Sequence, residues 1–416
     1  MKPIVIIGAG MAGFSIAREL RKLDKEVPLV ILTADSGGYY TKPMLSNAFA
    51  QNKQALQLMT QNATQMAAQL NAAIKAPAHV RRIDTSRKEI ALDGETLVYN
   101  KLVLAVGAQP IRLAIEGDGA DQVQSVNHIS DYQRFRDLIA LPKHGMSARV
   151  TILGAGLIGC EFADDLCGAG HAVTLVDPNP LPLAALAAPA LSKQLLVALL
   201  ARGVSMRLAT VATRVDRTGD SLQVTLADGQ IFTTDIVLSA VGLRPDLTLA
   251  SAAGLATGRG ILIDRTGQTS ATDVFALGDC AEYVVPNNDG AGTSTMPYIA
   301  PLMTAARAIA RTLTGTATTI DLQPTPVIVK TPSYPIALIA PPPHAIAGGT
   351  WTSEMVDGRT ICRFYGANGV MAGFCVAPQD AATRNALLAL MGSQAPVSSV
   401  APVAPVDTAI GIEAAD

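Results

Sequence analysis

Two copies of one short pattern constrain this chain more than any other feature in it. Ile4-Val5-Ile6-Ile7 runs into Gly8-Ala9-Gly10-Met11-Ala12-Gly13, and Val150-Thr151-Ile152-Leu153 runs into Gly154-Ala155-Gly156-Leu157-Ile158-Gly159. Each reads as a buried strand, a tight glycine turn and a helix with apolar residues at helical spacing. Ile16, Leu20 and Leu23 mark the first helix, and Ile158, Phe162 and Leu166 the second. In a dinucleotide-binding turn the first glycine (Gly8, Gly154) makes the bend and the second (Gly10, Gly156) admits a pyrophosphate. The third (Gly13, Gly159) lets helix and strand pack closely, so that the helix start at Met11-Ala12 or Leu157-Ile158 meets the phosphates. A lone copy can be purely structural. Two copies imply two dinucleotides, and a protein that holds two passes electrons between them.

Composition sets the outer bounds. The 416 residues suffice for two or three domains, and with 49% hydrophobic and 16% charged residues a large core is available. A formal charge of -2 gives no field that would draw nucleic acid or an anionic membrane. No stretch reaches the ~20 apolar residues of a transmembrane helix; Leu181 to Ala201 is interrupted by Pro182, Pro189 and Lys193. The apolar run after Met1-Lys2-Pro3 is too short for a signal-peptide core. A soluble cytoplasmic protein is expected. The five cysteines show no CxxC spacing, and Cys160 and Cys167 are expected to be buried small hydrophobes. With no paired-cysteine redox centre and no four-cysteine iron site, no metal site is expected and any iron-centred acceptor is another molecule.

Strand–helix alternation fills the first half, as in doubly wound α/β units. Strands are expected at Pro28–Leu32, Leu97–Val106, Val173–Val176 and Ile236–Val241, with helices near 130–140 and 300–314. Ile261–Asp264 and Thr272–Asp279 resume the first unit, so the second unit is inserted into it. The expected domains are 1–113 with 245–319 for FAD, 114–244 for NADH, a small β-rich α+β domain at 320–391, and a disordered Ala/Pro-rich tail at 392–416. Gly278-Asp279, at a strand end, offers an acceptor to the polyol chain of FAD, its alternative being a helix-capping Asp. The strand end Ala105-Val106-Gly107 supports the flavin assignment. Asp177 ends the second strand of the second unit, where an acid binds ribose hydroxyls and repels a 2′-phosphate, selecting NADH; the alternative is a solvated strand-end Asp. In the first unit the corresponding acid falls between Thr33 and Asp35, with Asp35 preferred.

At this point the chain resembles the two-dinucleotide flavoprotein reductases of glutathione-reductase-like fold, and within them the NAD(P)H:rubredoxin reductases. Tyr40-Thr41-Lys42-Pro43-Met44-Leu45-Ser46, Gly154 to Phe162, Ser239-Ala240-Val241-Gly242-Leu243-Arg244-Pro245, Ala276-Leu277-Gly278-Asp279-Cys280-Ala281-Glu282 and Val329-Lys330-Thr331-Pro332 carry the likeness, which spans residues 1 to about 390. The resemblance implies one non-covalent FAD per chain, NADH as electron donor and rubredoxin as acceptor, feeding an alkane hydroxylase or another rubredoxin-dependent oxidase or reductase. It places Lys42 and Pro43 against the isoalloxazine ring, Lys330 on the other side of it, and Glu161 at the nicotinamide. It also places Val241 and Gly242 beside the second nucleotide and aims the helix near Pro301 at the flavin. Without the resemblance Lys42 would read as a loop lysine. An NADH oxidase or peroxidase would need a redox cysteine near the flavin, and residues 30–60 contain none. A reductase for flavorubredoxin, a ferredoxin reductase and a flavin signalling protein like apoptosis-inducing factor are the remaining alternatives.

Overall fold

The computed structural model describes residues 1–141, 147–287 and 290–395. Ile4–Ile7 is the centre of a five-stranded parallel sheet in the order Val274–Ala276, Lys101–Leu104, Ile4–Ile7, Leu29–Leu32, Ala73–Lys75. The central strand is buried at every residue, as a parallel strand covered on both faces requires. The helices Met11–Leu23 and Ile299–Leu313 pack against each other beside this sheet, burying Phe14, Ala17 and Leu20 from one and Leu302, Ala306 and Ile309 from the other.

A second parallel sheet runs Ser205–Leu208, Ala172–Asp177, Arg149–Leu153, Ile236–Ser239. It is inserted within the first, because Val274–Ala276 returns to the edge of the first sheet afterwards. The outgoing and returning connections pair with each other as short antiparallel strands, Ala108–Pro110 with Leu243–Pro245. The C-terminal part is a five-stranded antiparallel sheet, and Asp380 caps its closing helix Ala381–Ala389 by accepting from the Thr383 N–H. Among the described residues no helix is long and apolar enough to cross a membrane.

Two expectations change. The apolar run from Leu97 is not one strand but two. Thr96–Val98 joins an antiparallel sheet with Glu89–Leu92, while Lys101–Leu104 enters the parallel sheet. The chain changes partner at Tyr99, whose N–H goes to the Lys88 carbonyl, and at Asn100, whose N–H goes to the Pro3 carbonyl. The tail also starts later than residue 392. Val370 and Gln394 form a bridge, and the N–H groups of Gly392 and Ala395 go to the carbonyls of Met371 and Gly369. The remainder of the expected tail, 396–416, lies outside the described residues.

Candidate active site

Both glycine turns have the stereochemistry their spacing predicts. Gly8 and Gly154 take φ of +110° and +105°, and a Cβ on them would stand 2.2 Å from the Ala105 carbonyl oxygen and 2.8 Å from that of Ala240. A Cβ on Gly13 would sit 1.9 Å from the Gly8 oxygen, and one on Gly159 1.8 Å from the Gly154 oxygen. Gly10 and Gly156 differ from all of these, since nothing lies within 4 Å of either Cβ position. Each is the N-cap of its helix, without a side-chain cap, and neither helix carries an acid in its first turn. Open space, uncapped amides and a positive helix pole coincide twice, a combination that fits the pyrophosphate of a dinucleotide.

The two turns also share a register that identifies equivalent residues. The Gly8 N–H goes to the Leu32 carbonyl and the Gly154 N–H to the Val176 carbonyl, so Thr33 stands where Asp177 stands in the second unit. Asp35, preferred from the sequence, lies two residues beyond that position, with its side chain 63% exposed and 3.5 Å from His128 Nδ1. Asp177 is buried against its own turn. Oδ2 accepts from Ala155 N–H at 2.6 Å, and Oδ1 accepts from Asn179 N–H and Nδ2 at 2.8 and 2.9 Å.

Around the first turn the remaining segments converge. Gly278 takes φ of +78°, and a Cβ there would be 2.8 Å from the Ala12 Cβ and 3.8 Å from Leu302 Cδ1. The uncapped start of the helix Ile299–Leu313 therefore lies beside Gly278-Asp279. Gly107 (φ +70°) also borders open space, and Gly242 (φ +107°) approaches Ile111. Lys42 and Pro43 open a short 3₁₀ helix, Lys42–Ser46. Among the described residues Lys42 makes no hydrogen bond or ion pair. Burial lowers the pKa of its ammonium, and the charges of Asp279 and Asp131 only partly offset this. A desolvated cation without a partner fits an anion that the described residues do not themselves provide.

Lys330 is different. Its Nζ donates to Glu161 Oε2 (2.5 Å), the Pro43 carbonyl (2.6 Å) and Ser46 Oγ (3.1 Å), while its N–H donates to Glu161 Oε1 (2.8 Å). Glu161 is fully buried and also accepts from Ser46 Oγ. One turn further on, Asp164 accepts from Ser333 N–H and Oγ and pairs with Arg202. Asp165 accepts from the N–H groups of Phe49 and Ala50. Burial pushes its carboxyl up to about 6 against the opposing pull of those two donors. One face of the second-fingerprint helix thus grips both the loop after Lys42 and the segment 330–333. Ser46, Asp164, Asp165 and Ser333 carry no local signature; the only hint was three acids at i, i+3 and i+4 within an otherwise apolar helix.

Residues 2–309 match the family described as pyridine nucleotide-disulphide oxidoreductase, and residues 319–391 match a rubredoxin binding C-terminal domain. The chain belongs to the pyridine nucleotide-disulphide oxidoreductase family. This oxidoreductase is 43% identical to a rubredoxin-NAD(+) reductase of Acinetobacter baylyi, over 86% of this chain and 90% of that one. It is 39% identical to a nitric oxide reductase FlRd-NAD(+) reductase of Aeromonas salmonicida, over 81% and 83%. Its fold is that of putidaredoxin reductase in a covalent complex with putidaredoxin, with a TM-score of 0.83, 23% identity and coverage of 94% and 93%. All five cysteines are free thiols, and four of them are buried.

Proposed function

We propose that this oxidoreductase is an FAD-dependent NADH:rubredoxin reductase, FAD occupying the first glycine turn and NADH the second. The observation that carries the assignment is two open pyrophosphate cradles joined to a rubredoxin binding C-terminal domain. When bound, FAD would supply the hydride-accepting and one-electron-donating chemistry between NADH and the acceptor, which asks the protein for stacking and electrostatics rather than a general base. The chain's own residues bind and orient. Gly8, Gly10, Met11, Ala12 and Gly13 receive the flavin pyrophosphate, Ala105, Gly107, Gly278 and Asp279 border the flavin, and Lys42 and Pro43 lie along its ring. Gly154, Gly156, Leu157, Ile158 and Gly159 receive the nicotinamide nucleotide, with Val241 and Gly242 behind it and Glu161 at its reactive end. Thr33, by its equivalence to Asp177, takes the flavin ribose in place of Asp35. We assign 1–113 with 245–319 to FAD, 114–244 to NADH and 320–391 to the acceptor-facing domain, a reading supported by one main sheet in each.

NADH-dependent cytochrome c reduction, run with a panel of rubredoxins and ferredoxins, tests the assignment. Turnover should require an added rubredoxin and fail with ferredoxins; equal rates with both, or without either, would count against it. A flavorubredoxin is the second candidate acceptor, because of the 39% relative, and belongs in the same panel.

NADH preference should run through Asp177. Asp177→Asn keeps an oxygen for the Ala155 N–H, gives up the acceptor used by Asn179 and deletes the charge that repels a 2′-phosphate. The gap between NADH and NADPH in kcat/KM should narrow by about 1.5–3 kcal/mol, the scale of a hydrogen bond to a charged group. An unchanged ratio of the two would remove Asp177 from nucleotide selection.

A further inference from the structure

Lys330 has three N–H donors, and all three are engaged, by Glu161 Oε2, the Pro43 carbonyl and Ser46 Oγ. None remains to donate to a flavin. Its charge is balanced at 2.5 Å by a fully buried carboxylate, so the pair presents a dipole to its surroundings and not a net cation. Ser46 is 2% exposed and closes the cluster, donating to Glu161 while accepting from Lys330. The three residues come from three separate parts of the chain, the loop after the first sheet's second strand, the second-fingerprint helix and the C-terminal segment. What the cluster holds most directly is the Pro43 carbonyl, at 2.6 Å from Lys330 Nζ. Pro43 is next to Lys42, whose ammonium has no hydrogen bond or ion pair among the described residues.

We propose that Ser46 and Lys330 are positioning residues, which through Glu161 fix the Pro43 carbonyl and so hold the loop that presents Lys42. The proposal rests on the assignment of Lys42 and Pro43 to the flavin. In this arrangement Lys330 acts on the loop and Lys42 acts on the cofactor. Removing the Ser46 hydroxyl deletes one acceptor of Lys330 and one donor of Glu161 without leaving a charge unpaired. The loop should then open more often while the net charge beside the flavin stays the same.

Hydrogen exchange of the FAD-loaded protein, with the midpoint potential of its flavin, separates this from a direct electrostatic role for Lys330. Ser46→Ala should keep its FAD and its potential, while the amides of residues 44–50 exchange about tenfold faster, the effect of losing one ordinary hydrogen bond. Ser46→Thr, which keeps the hydroxyl, should bring exchange back towards the original rate. The charge-neutral pair Glu161→Gln with Lys330→Met should also speed exchange, and any fall in its potential should come with that faster exchange. Unchanged exchange in Ser46→Ala would overturn the proposal. So would a potential that falls in the neutral double variant while its loop exchanges at the original rate. Absence of FAD from the unaltered protein would instead sink the assigned function, and the exchange comparison would still report on the cluster.

Discussion

Gly10→Val is expected to abolish FAD binding without unfolding the chain, and Gly156→Val to leave a yellow protein that NADH no longer reduces. Both positions have extended backbone with negative φ, near -81° and -73°, outside the left-handed region that demands glycine. Neither Cβ position has an atom within 4 Å, so an added Cβ meets nothing in the folded protein. A phosphate brought to the helix N-terminus would meet the added side chain. Losing that approach should weaken each nucleotide by a factor of 100 or more, about 3 kcal/mol. Flavin absorbance, a thermal melt and anaerobic titration with NADH distinguish the outcomes for the two variants. A Gly10→Val protein that stays yellow would detach FAD from the first turn, and normal reduction of Gly156→Val would detach NADH from the second. Gly13→Ala and Gly159→Ala should behave differently, because a Cβ at either would meet a backbone oxygen inside 2 Å. Their damage would fall on folding, not on one ligand.

These turns were legible in the sequence because what they need is local. Each glycine contact lies within the turn itself or with one neighbouring strand end, and six residues announce it. The insertion of one parallel sheet into the other was legible for a related reason, since the strand before Gly278-Asp279 resumes the first unit's pattern. The buried acids were not. Asp165 and its Phe49 partner are 116 positions apart, and Lys330 and Glu161 are 169 apart, so no local spacing could show that these charges lie inside. Sequence-level logic would place an Asp in a helix on the wet face, and here tertiary partners reverse that. Tyr99 shows the same limit in the backbone, where an unbroken apolar run hides a change of sheet. Thr33 became identifiable only when equivalent hydrogen bonds fixed the register of the two turns.

Lys42→Met is expected to lower the midpoint potential of the bound flavin and slow its reduction by NADH, with Lys42→Arg recovering much of both. The reason is the contrast between the two lysines of the site. Lys330 is neutralised and saturated, whereas Lys42 is desolvated with no hydrogen bond or ion pair among the described residues. A cation held in that condition has already lost part of its water when negative charge develops beside it, so less reorganisation is needed at the moment of reaction. Such a preorganised charge commonly contributes about 3 kcal/mol where water is excluded, enough to slow reduction roughly a hundredfold on its loss. Pro43 supports this by stiffening the loop, and its carbonyl is held by Lys330. A proton donor in the same place would behave otherwise, since Arg, which does not give up its proton, would then serve no better than Met. An electrostatic Lys42 should also discharge at lower pH than a free lysine, because burial lowers its pKa. Reduction should accordingly slow on the alkaline side in the unaltered protein, and that slowing should vanish in Lys42→Met. Stopped-flow reduction across pH, with both variants, reads all of this in one experiment. If Met at position 42 changes neither potential nor rate, the missing anion is not a reduced flavin and Lys42 has no part in the electron transfer.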